Sequence, residues 1–326
     1  MRILLNGSGA VGARAARQLV EADEVTELIV AGGDPVHRAA LVDSAGPKAR
    51  DGGDRVDDPD IDAVLLAGPA GTHVEAARAH VARGHVVVSC SDDVDDVQGL
   101  LALDGPARDR GVAVVVAAGF SPGYTCLLAR HAAAGFDRVD EIHVARSGTG
   151  GPSCARQHHR ALSGTALDWR DGAWQRRAAG SGRELCWFPD PIGAADCYRA
   201  ELPDALLLVP QFPGVGRVTA RLAASRRDRL TAHLPMLRKP HPEGLLGAVR
   251  VEVRGRRGSV QDVVVLGALD RPAVATGAVA ALALRWAVEG RIPVGAAGLA
   301  SIETPVPFLT ALADIGIRGA VFDGVA

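Results

Sequence analysis

The stretch Asn6-Gly7-Ser8-Gly9-Ala10-Val11-Gly12 decides how this chain begins to fold. It follows a short apolar run and opens a segment, residues 11–22, that is rich in Ala, Arg, Gln and Leu. An apolar strand, a glycine turn and a helix in this order predict a dinucleotide-binding fingerprint. In such a turn Gly7 allows a sharp bend, Gly9 lets backbone approach a pyrophosphate, and Gly12 lets the helix pack on the strand. The helix N-terminus then offers its N–H groups to the phosphates.

The composition is that of a large globular protein. The chain has 326 residues, 48% of them hydrophobic and 23% charged, a size that predicts two domains. The net charge of -2 gives no basic footprint for nucleic acid, and the longest apolar runs, such as 112–118, are too short for a membrane. Five cysteines without zinc spacing indicate reduced thiols, so we expect a cytoplasmic protein with no metal ion.

Apolar strand patterns alternate with helical patterns over the first part of the chain. This order predicts a parallel, doubly wound sheet. The polar residues 48–60 are predicted to form a loop, and Thr72 with Glu75 forms a predicted capping box for the helix that follows. The predicted strands are residues 2–5, 27–31, 62–67, 85–89 and 112–117.

The pattern changes near residue 140. Residues 141–144, 217–222 and 249–254 alternate between polar and apolar side chains, which is typical of an antiparallel sheet with one wet face. Residues 272–289 are apolar on most sides and are predicted to pack back on the first domain. We therefore expect a Rossmann-type nucleotide domain from residues 1–123 and 271–326, and an α+β second domain, largely antiparallel, from residues 124–270.

The choice of cofactor depends on the end of the second strand, where NAD enzymes usually place an acid for the ribose hydroxyls. Gly32 stands at that position, with Asp34 two residues later. A missing acid leaves room for a 2′-phosphate, with which His37 or Arg38 could pair. The alternative is that Asp34 is the ribose acid and Arg38 a solvated helix charge. We expect NADP, with NAD as the alternative.

Three predicted strand ends converge on one edge of the sheet, where ligands bind in such folds. They carry Gly68-Pro69, the segment 89–93 with Ser91, and Gly119-Phe120-Ser121-Pro122-Gly123. Ordinary turns would explain each one singly, but three together favour a cleft for nicotinamide and substrate.

The N-terminal Gly7-Ser8-Gly9-Ala10-Val11-Gly12, the segment 85–93 and above all Ala118-Gly119-Phe120-Ser121-Pro122-Gly123-Tyr124 resemble saccharopine dehydrogenase-like reductases. The resemblance covers residues 1–130 well and the terminal helix loosely, and residues 145–245 carry no motif of that family. It implies a two-domain NAD(P)-dependent enzyme acting on C–N bonds, with an Ala-Gly-X-X-Pro-Gly turn beside the nicotinamide. It does not imply a particular substrate.

Thr72-His73 and Gly84-His85-Val86 are also similar to the Gfo/Idh/MocA class of sugar-oxidising enzymes. That class carries Glu-Lys-Pro after the equivalent strand, and its lysine acts in proton transfer. This chain has Ser91-Asp92-Asp93 there, and its two lysines, Lys48 and Lys239, lie elsewhere. The departure disfavours alcohol oxidation by a lysine mechanism.

In the second domain, a glycine-rich loop at 148–151 leads into a predicted helix that starts at Pro152. Arg156 and Arg160 share a face of that helix, and their guanidinium groups suit a substrate carboxylate. A solvated helix face is the equal alternative. His158 and His159 are adjacent, so they point apart, which disfavours a metal pair.

The combined prediction is an oxidoreductase that reduces an imine formed from an amino acid or amine and a carbonyl compound, or catalyses the reverse oxidation. The alternatives are an alcohol or sugar dehydrogenase and a nucleotide-sensing regulator without turnover. The expected partner is a small carboxylate-bearing substrate, and the expected assembly is a homodimer. The expected catalytic residues are Tyr124, which could be a proton donor or a wall, His159, Arg156 and Arg160. The expected cofactor-binding residues are Gly7, Ser8, Gly9, Ala10, Val11, Gly12, Asp34, Arg38, Gly68, Pro69, Ser91, Gly119, Phe120 and Pro122.

Overall fold

The computed structural model describes residues 1–54, 60–236 and 239–322. The chain divides into two compact units. The first unit contains Met1–Gly119 and Ala273–Ser301, and the second contains Phe120–Pro272 and Ile302–Ala326.

Strands and helices are numbered separately, each in chain order. The strands are β1 Arg2–Asn6, β2 Glu27–Ala31, β3 Ala49–Asp51, β4 Ala63–Leu66, β5 Val86–Ser89, β6 Ala113–Val115, β7 Arg138–Ser147, β8 Thr165–Arg170, β9 Ala173–Ala178, β10 Glu184–Trp187, β11 Ala194–Arg199, β12 Arg217–Ala223, β13 Gly247–Arg257, β14 Val260–Asp270, β15 Gly295–Ala297 and β16 Gly319–Val321. The helices are α1 Ala10–Val20, α2 Pro35–Ala45, α3 His73–Ala82, α4 Val94–Leu101, α5 Asp104–Arg110, α6 Tyr124–Ala133, α7 Pro152–Ala161, α8 Asp204–Leu208, α9 Arg226–Thr231, α10 Pro272–Val288 and α11 Val306–Asp314.

The first unit is built on a parallel sheet, which among the described residues has seven strands in the order β15-β6-β5-β4-β1-β2-β3. β1 lies in the middle, and Leu4 pairs with Ile29 of β2 on one side and Val64 of β4 on the other. All three side chains are buried. Strands buried on both faces read as continuous apolar runs, which is why these strands could be predicted. The predicted doubly wound parallel sheet is confirmed.

β3 is a strand that the sequence did not predict. Residues 48–60 are polar and were expected to form a loop, but Ala49–Asp51 pairs in parallel with β2. β3 is the edge strand, so its residues are half-buried or exposed and need no apolar pattern. Residues 55–59 of that expected loop lie outside the described residues.

Helix α10 returns the chain to the first unit after most of the second unit has been formed. A Cβ at Gly277 would lie 2.6 Å from the Val11 carbonyl oxygen, so α10 packs backbone to backbone on α1. Arg285 of α10 also donates to the carboxylate of Glu24. The long apolar helix is therefore a structural part of the nucleotide fold.

The second unit is built on a mixed sheet whose main path among the described residues runs β10-β11-β12-β7-β13-β14-β16. Only the β12–β7 pair of that path is parallel. Ile142, Val144 and their cross-strand partners make one face apolar and buried, while Glu141 and His143 lie on the more polar face. The predicted α+β domain with a largely antiparallel sheet is confirmed.

The C-terminal segment belongs to a different unit from the one expected. β16 pairs with β14 in antiparallel register, with Val321 opposite Leu266, so the described chain after Ser301 belongs to the second unit. The sequence signal for β16 is three residues long, too short to predict. No helix within the described ranges is both long and apolar enough to cross a membrane.

Two helical glycines give a matched test of this packing. Gly277→Ala should destabilise the protein by about 1–3 kcal/mol, because the new methyl group meets Val11 backbone that cannot move aside. Gly105→Ala should stabilise it by about 0.4–1 kcal/mol, because that Cβ meets no described atom within 4 Å. Thermal and urea unfolding of both variants measure the difference. Equal effects would contradict the α1–α10 contact.

Candidate functional site

The glycine turn holds β1, β4 and α1 in close contact. Gly7 has a left-handed φ of +131°, and a Cβ there would lie 2.5 Å from the Ala67 carbonyl oxygen. A Cβ at Gly12 would collide with the Gly7 carbonyl oxygen. Neither position can carry a side chain, because backbone already fills the space. The first and third glycines of the motif are therefore needed for packing.

The middle glycine of the motif faces open space. No described atom lies within 4 Å of a Cβ built on Gly9. Gly9 is the N-cap of α1, no described side chain caps this helix, and its first turn contains no acidic residue. The first N–H groups of a helix have no partner within the helix and carry partial positive charge. The turn thus forms an open cradle beside a positively polarised helix N-terminus, an arrangement that suits a phosphate group.

The end of β2 lies against this turn. Gly32 and Gly33 are both left-handed, and a Cβ at Gly33 would collide with the Ser8 hydroxyl oxygen. Asp34 follows, and its Oδ1 accepts two backbone N–H groups of α2 at 2.9 and 3.1 Å. The backbone hydrogen bonds from His37 and Val36 lower the pKa of the Asp34 carboxyl. An ionised carboxylate therefore caps α2 just after the end of β2.

Arg38 is neither a solvated helix charge nor a free cation. Its side chain is 7% exposed, with Nε 2.7 Å from Asp51 Oδ1 and Nη1 3.2 Å from Asp54 Oδ1. Nη1 also donates to the Gly32 carbonyl oxygen at 3.3 Å. The charge of Arg38 is therefore compensated within the protein. The sequence gives no sign of this, because both aspartates lie in the segment predicted as a loop.

Buried polar side chains join the loops that follow β4 and β5. Asp96 of α4 is 2% exposed, and its Oδ2 accepts the Gly71 N–H at 2.8 Å and the Ser91 hydroxyl at 2.7 Å. The Ser91 N–H in turn donates to Ser89 Oγ at 3.2 Å. One carboxylate thus sets the relative position of two strand ends at the carboxyl edge of the sheet.

His73 extends this network to the loop after β4. Its Nε2 lies 3.1 Å from the Gly68 carbonyl oxygen and its Nδ1 lies 2.8 Å from Ser89 Oγ. Because a carbonyl only accepts, Nε2 carries the proton and Nδ1 accepts from the Ser89 hydroxyl. His73 is 2% exposed and has both nitrogens occupied, so it acts as a link between loops.

The predicted capping box at Thr72 is wrong. The Thr72 hydroxyl donates to the Pro69 carbonyl oxygen at 2.7 Å, and no described side chain caps α3. Thr72 has helical rather than extended backbone angles, so its hydroxyl does not reach the N–H groups of the first turn. It stabilises the Gly68-Pro69 turn instead.

The third strand end is also held by backbone. The Ala118 N–H donates to the Ser89 carbonyl oxygen at 2.7 Å, and the Gly119 N–H to that of Ala117 at 2.9 Å. Ala117 adopts a left-handed φ of 55°, which costs a non-glycine residue about 1–2 kcal/mol. Desolvation raises the pKa of the neighbouring, half-buried Cys90 thiol to about 12, which favours the protonated thiol.

In the second unit, Phe120 and Tyr124 form a buried aromatic pair. Their ring centroids are 6.1 Å apart, and the side chains are 3% and 1% exposed. Burial raises the pKa of the Tyr124 hydroxyl. Of the two roles expected for Tyr124, this burial favours the wall over the proton donor. Pro122 is buried with them in the same turn.

Two buried charged residues that the sequence analysis missed hold this turn. Arg146 of β7 is 4% exposed and donates to the Ser121 carbonyl oxygen, while the Ser121 hydroxyl donates to Asp204 Oδ1 at 3.4 Å. The signal for Arg146 was present, because it continues the alternation of Ile142 and Val144 on the apolar face. A charge at a core position of a strand indicates a specific partner.

Helix α7 separates its basic residues onto different faces. Arg156 and Arg160 are exposed, and Arg156 Nη2 donates to Ser153 Oγ at 3.4 Å. His159 is 8% exposed, and its Nε2 donates to the carbonyl oxygens of Thr231 and Leu234 at 3.0 and 3.1 Å. The two arginines are therefore available to a ligand of the second unit, whereas His159 has a structural contact.

The other face of α7 carries a thiol and an imidazole. Cys154 Sγ lies 3.5 Å from His158 Nε2, and the Gly150 N–H donates to the same sulfur at 3.4 Å. The glycine loop before α7 is also packed, because a Cβ at Gly148 would lie 2.5 Å from Gly247 Cα. Backbone contact thus supports the glycine-rich loop at 148–151.

Comparison with known proteins adds to this geometry. A scan against protein-family models found no match, and a search of curated proteins found none. Solved structures share the fold. Saccharopine dehydrogenase (L-Glu forming) from Saccharomyces cerevisiae has a TM-score of 0.73 at 16% identity, over 98% of this chain and 99% of that chain.

Two further structures are similar. GenD2 from gentamicin A biosynthesis, in complex with NAD, has a TM-score of 0.52 at 16% identity, over 99% of this chain and 97% of that chain. DAP dehydrogenase from C. glutamicum, in complex with DAP, has a TM-score of 0.50 at 15% identity, over 95% and 98%. The fold implied by the resemblance to saccharopine dehydrogenase-like reductases is thereby confirmed over the full chain.

The Asp96 network can be tested by stability. Asp96→Ala should destabilise the protein by about 1–3 kcal/mol, because it leaves the Gly71 N–H and the buried Ser91 hydroxyl without their acceptor. Asp96→Asn keeps one oxygen and should lose less. The exposed neighbour Asp95 is the matched control, and Asp95→Ala should change stability by less than about 0.5 kcal/mol. Urea unfolding measures all three, and equal losses at both positions would refute the role of Asp96.

Proposed function

We propose that this protein is an NAD(P)-dependent oxidoreductase. The observation that carries the proposal is the glycine turn. Backbone atoms fill the space where a side chain at Gly7 or Gly12 would lie, whereas Gly9 faces open space at a helix N-terminus. A turn needed only for packing would not require glycine at the open position. The names of the similar structures, all dehydrogenases or a protein in complex with NAD, support the same class.

The reaction we propose is reduction of an imine formed from an amino acid or amine and a carbonyl compound, or its reversal. The resemblance of residues 118–124 to saccharopine dehydrogenase-like reductases supports this chemistry. Lys48 does not support lysine-dependent alcohol oxidation, since it donates to the Ala22 carbonyl oxygen, away from the carboxyl ends of the strands.

The nicotinamide would supply or accept the hydride, and the chain would bind and orient. In the first unit, the N–H groups of residues 10–12 would hold the pyrophosphate, and the linked loops after β4 and β5 would fix the carboxyl edge of the sheet. In the second unit, Arg156 and Arg160 would bind the substrate carboxylate through paired N–H donors. A protonated imine needs no strong general base to accept hydride.

The deciding experiment combines binding with turnover. NADH and NADPH are titrated by fluorescence, and then amines and amino acids are mixed with 2-oxo acids and aldehydes while nicotinamide absorbance is followed. Oxidation of the cofactor with formation of a secondary amine supports the proposal. Binding without turnover across the panel would favour the nucleotide-sensing regulator, and absence of binding would reject both.

Gly9→Val tests the cofactor cradle. Its branched side chain should occupy the place of the pyrophosphate and raise the dissociation constant at least about tenfold, or about 1.4 kcal/mol. Folding should survive, because no described atom lies near that Cβ. Gly9→Ala should give a smaller effect in the same direction. Unchanged affinity with unchanged melting temperature would remove the site assignment.

Alanine substitutions at Arg156 and Arg160 test the carboxylate clamp. Each should lower kcat/KM by about 10–100-fold, or roughly 1.4–2.7 kcal/mol, and leave dinucleotide affinity unchanged. Arg176→Ala removes an exposed arginine from strand β9 of the same unit and should not change kcat/KM. If both α7 variants behave like this control, the arginines are solvated surface charges.

A further inference from the structure

We infer that the protein takes NAD(H) in preference to NADP(H), and that Asp51 and Asp54 set this preference by holding Arg38. The inference rests on the proposed function and concerns the ribose end of the same cofactor. The sequence left open the choice between NAD(H) and NADP(H). A preference for NAD(H) is the reverse of the preference expected from Arg38 alone.

Among the described residues of β2, α2 and the loop between them, Arg38 is the one buried cation. Its Nε and Nη1 are directed at two carboxylates and a carbonyl oxygen, at distances of 2.7, 3.2 and 3.3 Å. To reach a 2′-phosphate, Arg38 would have to give up these partners and leave a site where its side chain is only 7% exposed. Exchange of one set of anionic partners for another yields little net affinity.

The fold keeps these carboxylates in place. Asp51 is the last residue of β3 and pairs in register with Val30 of β2. Its Oδ1 also accepts the Gly53 N–H at 2.7 Å, and the Gly53 carbonyl oxygen accepts the Gly32 N–H at 3.0 Å. The chain after β3 is thus bonded to the residue that follows β2. Asp51 is therefore placed by backbone pairing and does not depend on Arg38 for its position.

The resulting charge disfavours a phosphate. Among the described residues, Asp34, Asp51 and Asp54 lie around the end of β2 with Arg38, and these four side chains sum to a charge of about -2. A 2′-phosphate would add about two more negative charges there, whereas ribose hydroxyls can donate to carboxylates. Backbone N–H bonds lower the pKa of the Asp34 and Asp51 carboxyls, so both are ionised at neutral pH.

The sequence position of the acid is therefore misleading. The second strand ends in Gly32 without the usual Asp or Glu, and this absence suggested room for a phosphate. The third strand, which is short and polar, supplies acids to the same place from a different part of the chain. Carboxylates of β3 and of the residues after it therefore supply the negative charge that β2 lacks at its end.

The test is a fluorescence titration of the full-length protein with NADH and with NADPH at one fixed salt concentration. The wild type should bind NADH at least about tenfold more tightly. Asp54→Asn, at a residue whose side chain is 85% exposed, should fold normally and release part of the Arg38 charge, so that NADPH affinity rises about tenfold relative to NADH. Asp43→Asn removes an exposed carboxylate of the same helix α2 and should leave the ratio unchanged.

Arg38→Ala separates the two interpretations. Under the inference the wild type already prefers NADH, and Arg38→Ala keeps or increases that preference, because it leaves Asp51 and Asp54 without their cation. A wild type that prefers NADPH, with that preference lost in Arg38→Ala, would overturn the inference and leave the proposed function standing. Binding of neither dinucleotide by the folded wild type would overturn the proposed function together with the inference.

Discussion

Direct contact between backbone atoms at Gly7, Gly12 and Ala67 is the constraint on which the first unit depends. It brings the start of α1 onto the end of β1 with no side chain in between. β2 and β4 flank β1 in register, so Leu5 lies between Val30 and Leu65 and all three strands end together. The open position at Gly9 is a consequence, because the glycines on either side have already fixed the path of the turn.

That constraint also distributes charge. The positive end of α1 and its free N–H groups face the cradle, whereas Arg38, the buried cation at the end of β2, is compensated by Asp51 and Asp54. In the proposed function, oriented backbone dipoles of the first unit, and not this arginine, would therefore bind a phosphate group. Backbone donors are fixed in direction, so they discriminate by position, and a pyrophosphate held in this way is compatible with carboxylates a short distance away at the ribose end.

The parts of the fold that could be predicted are those with a local physical signal. β1, β2 and β4 are buried on both faces and read as apolar runs, and α7 begins at Pro152 because proline suits a first helical turn. β3 could not be predicted, because an edge strand needs no apolar pattern. The cap predicted at Thr72 was wrong, because the capping preference of threonine does not reveal its backbone angles. The ion pairs of Arg38 could not be predicted, because they join residues 13 and 16 positions apart through a strand pairing that the sequence did not indicate.

In the second unit, two buried charged side chains are better evidence that a turn is held in position than that the protein is stabilised. Arg146 occupies a core position between Leu222 and Val249, where an apolar side chain would avoid the cost of desolvation. Its contact is the carbonyl oxygen of Ser121, and Asp204 holds the hydroxyl of the same residue. Apolar residues in place of Arg146 and Asp204 would leave both polar atoms of Ser121 without these partners, and the turn before α6 would keep only its packing and local backbone hydrogen bonds. The chain accepts the cost of two buried charges at the one turn that carries its strongest resemblance to known reductases, so the constraint at Ser121 serves the geometry of the turn.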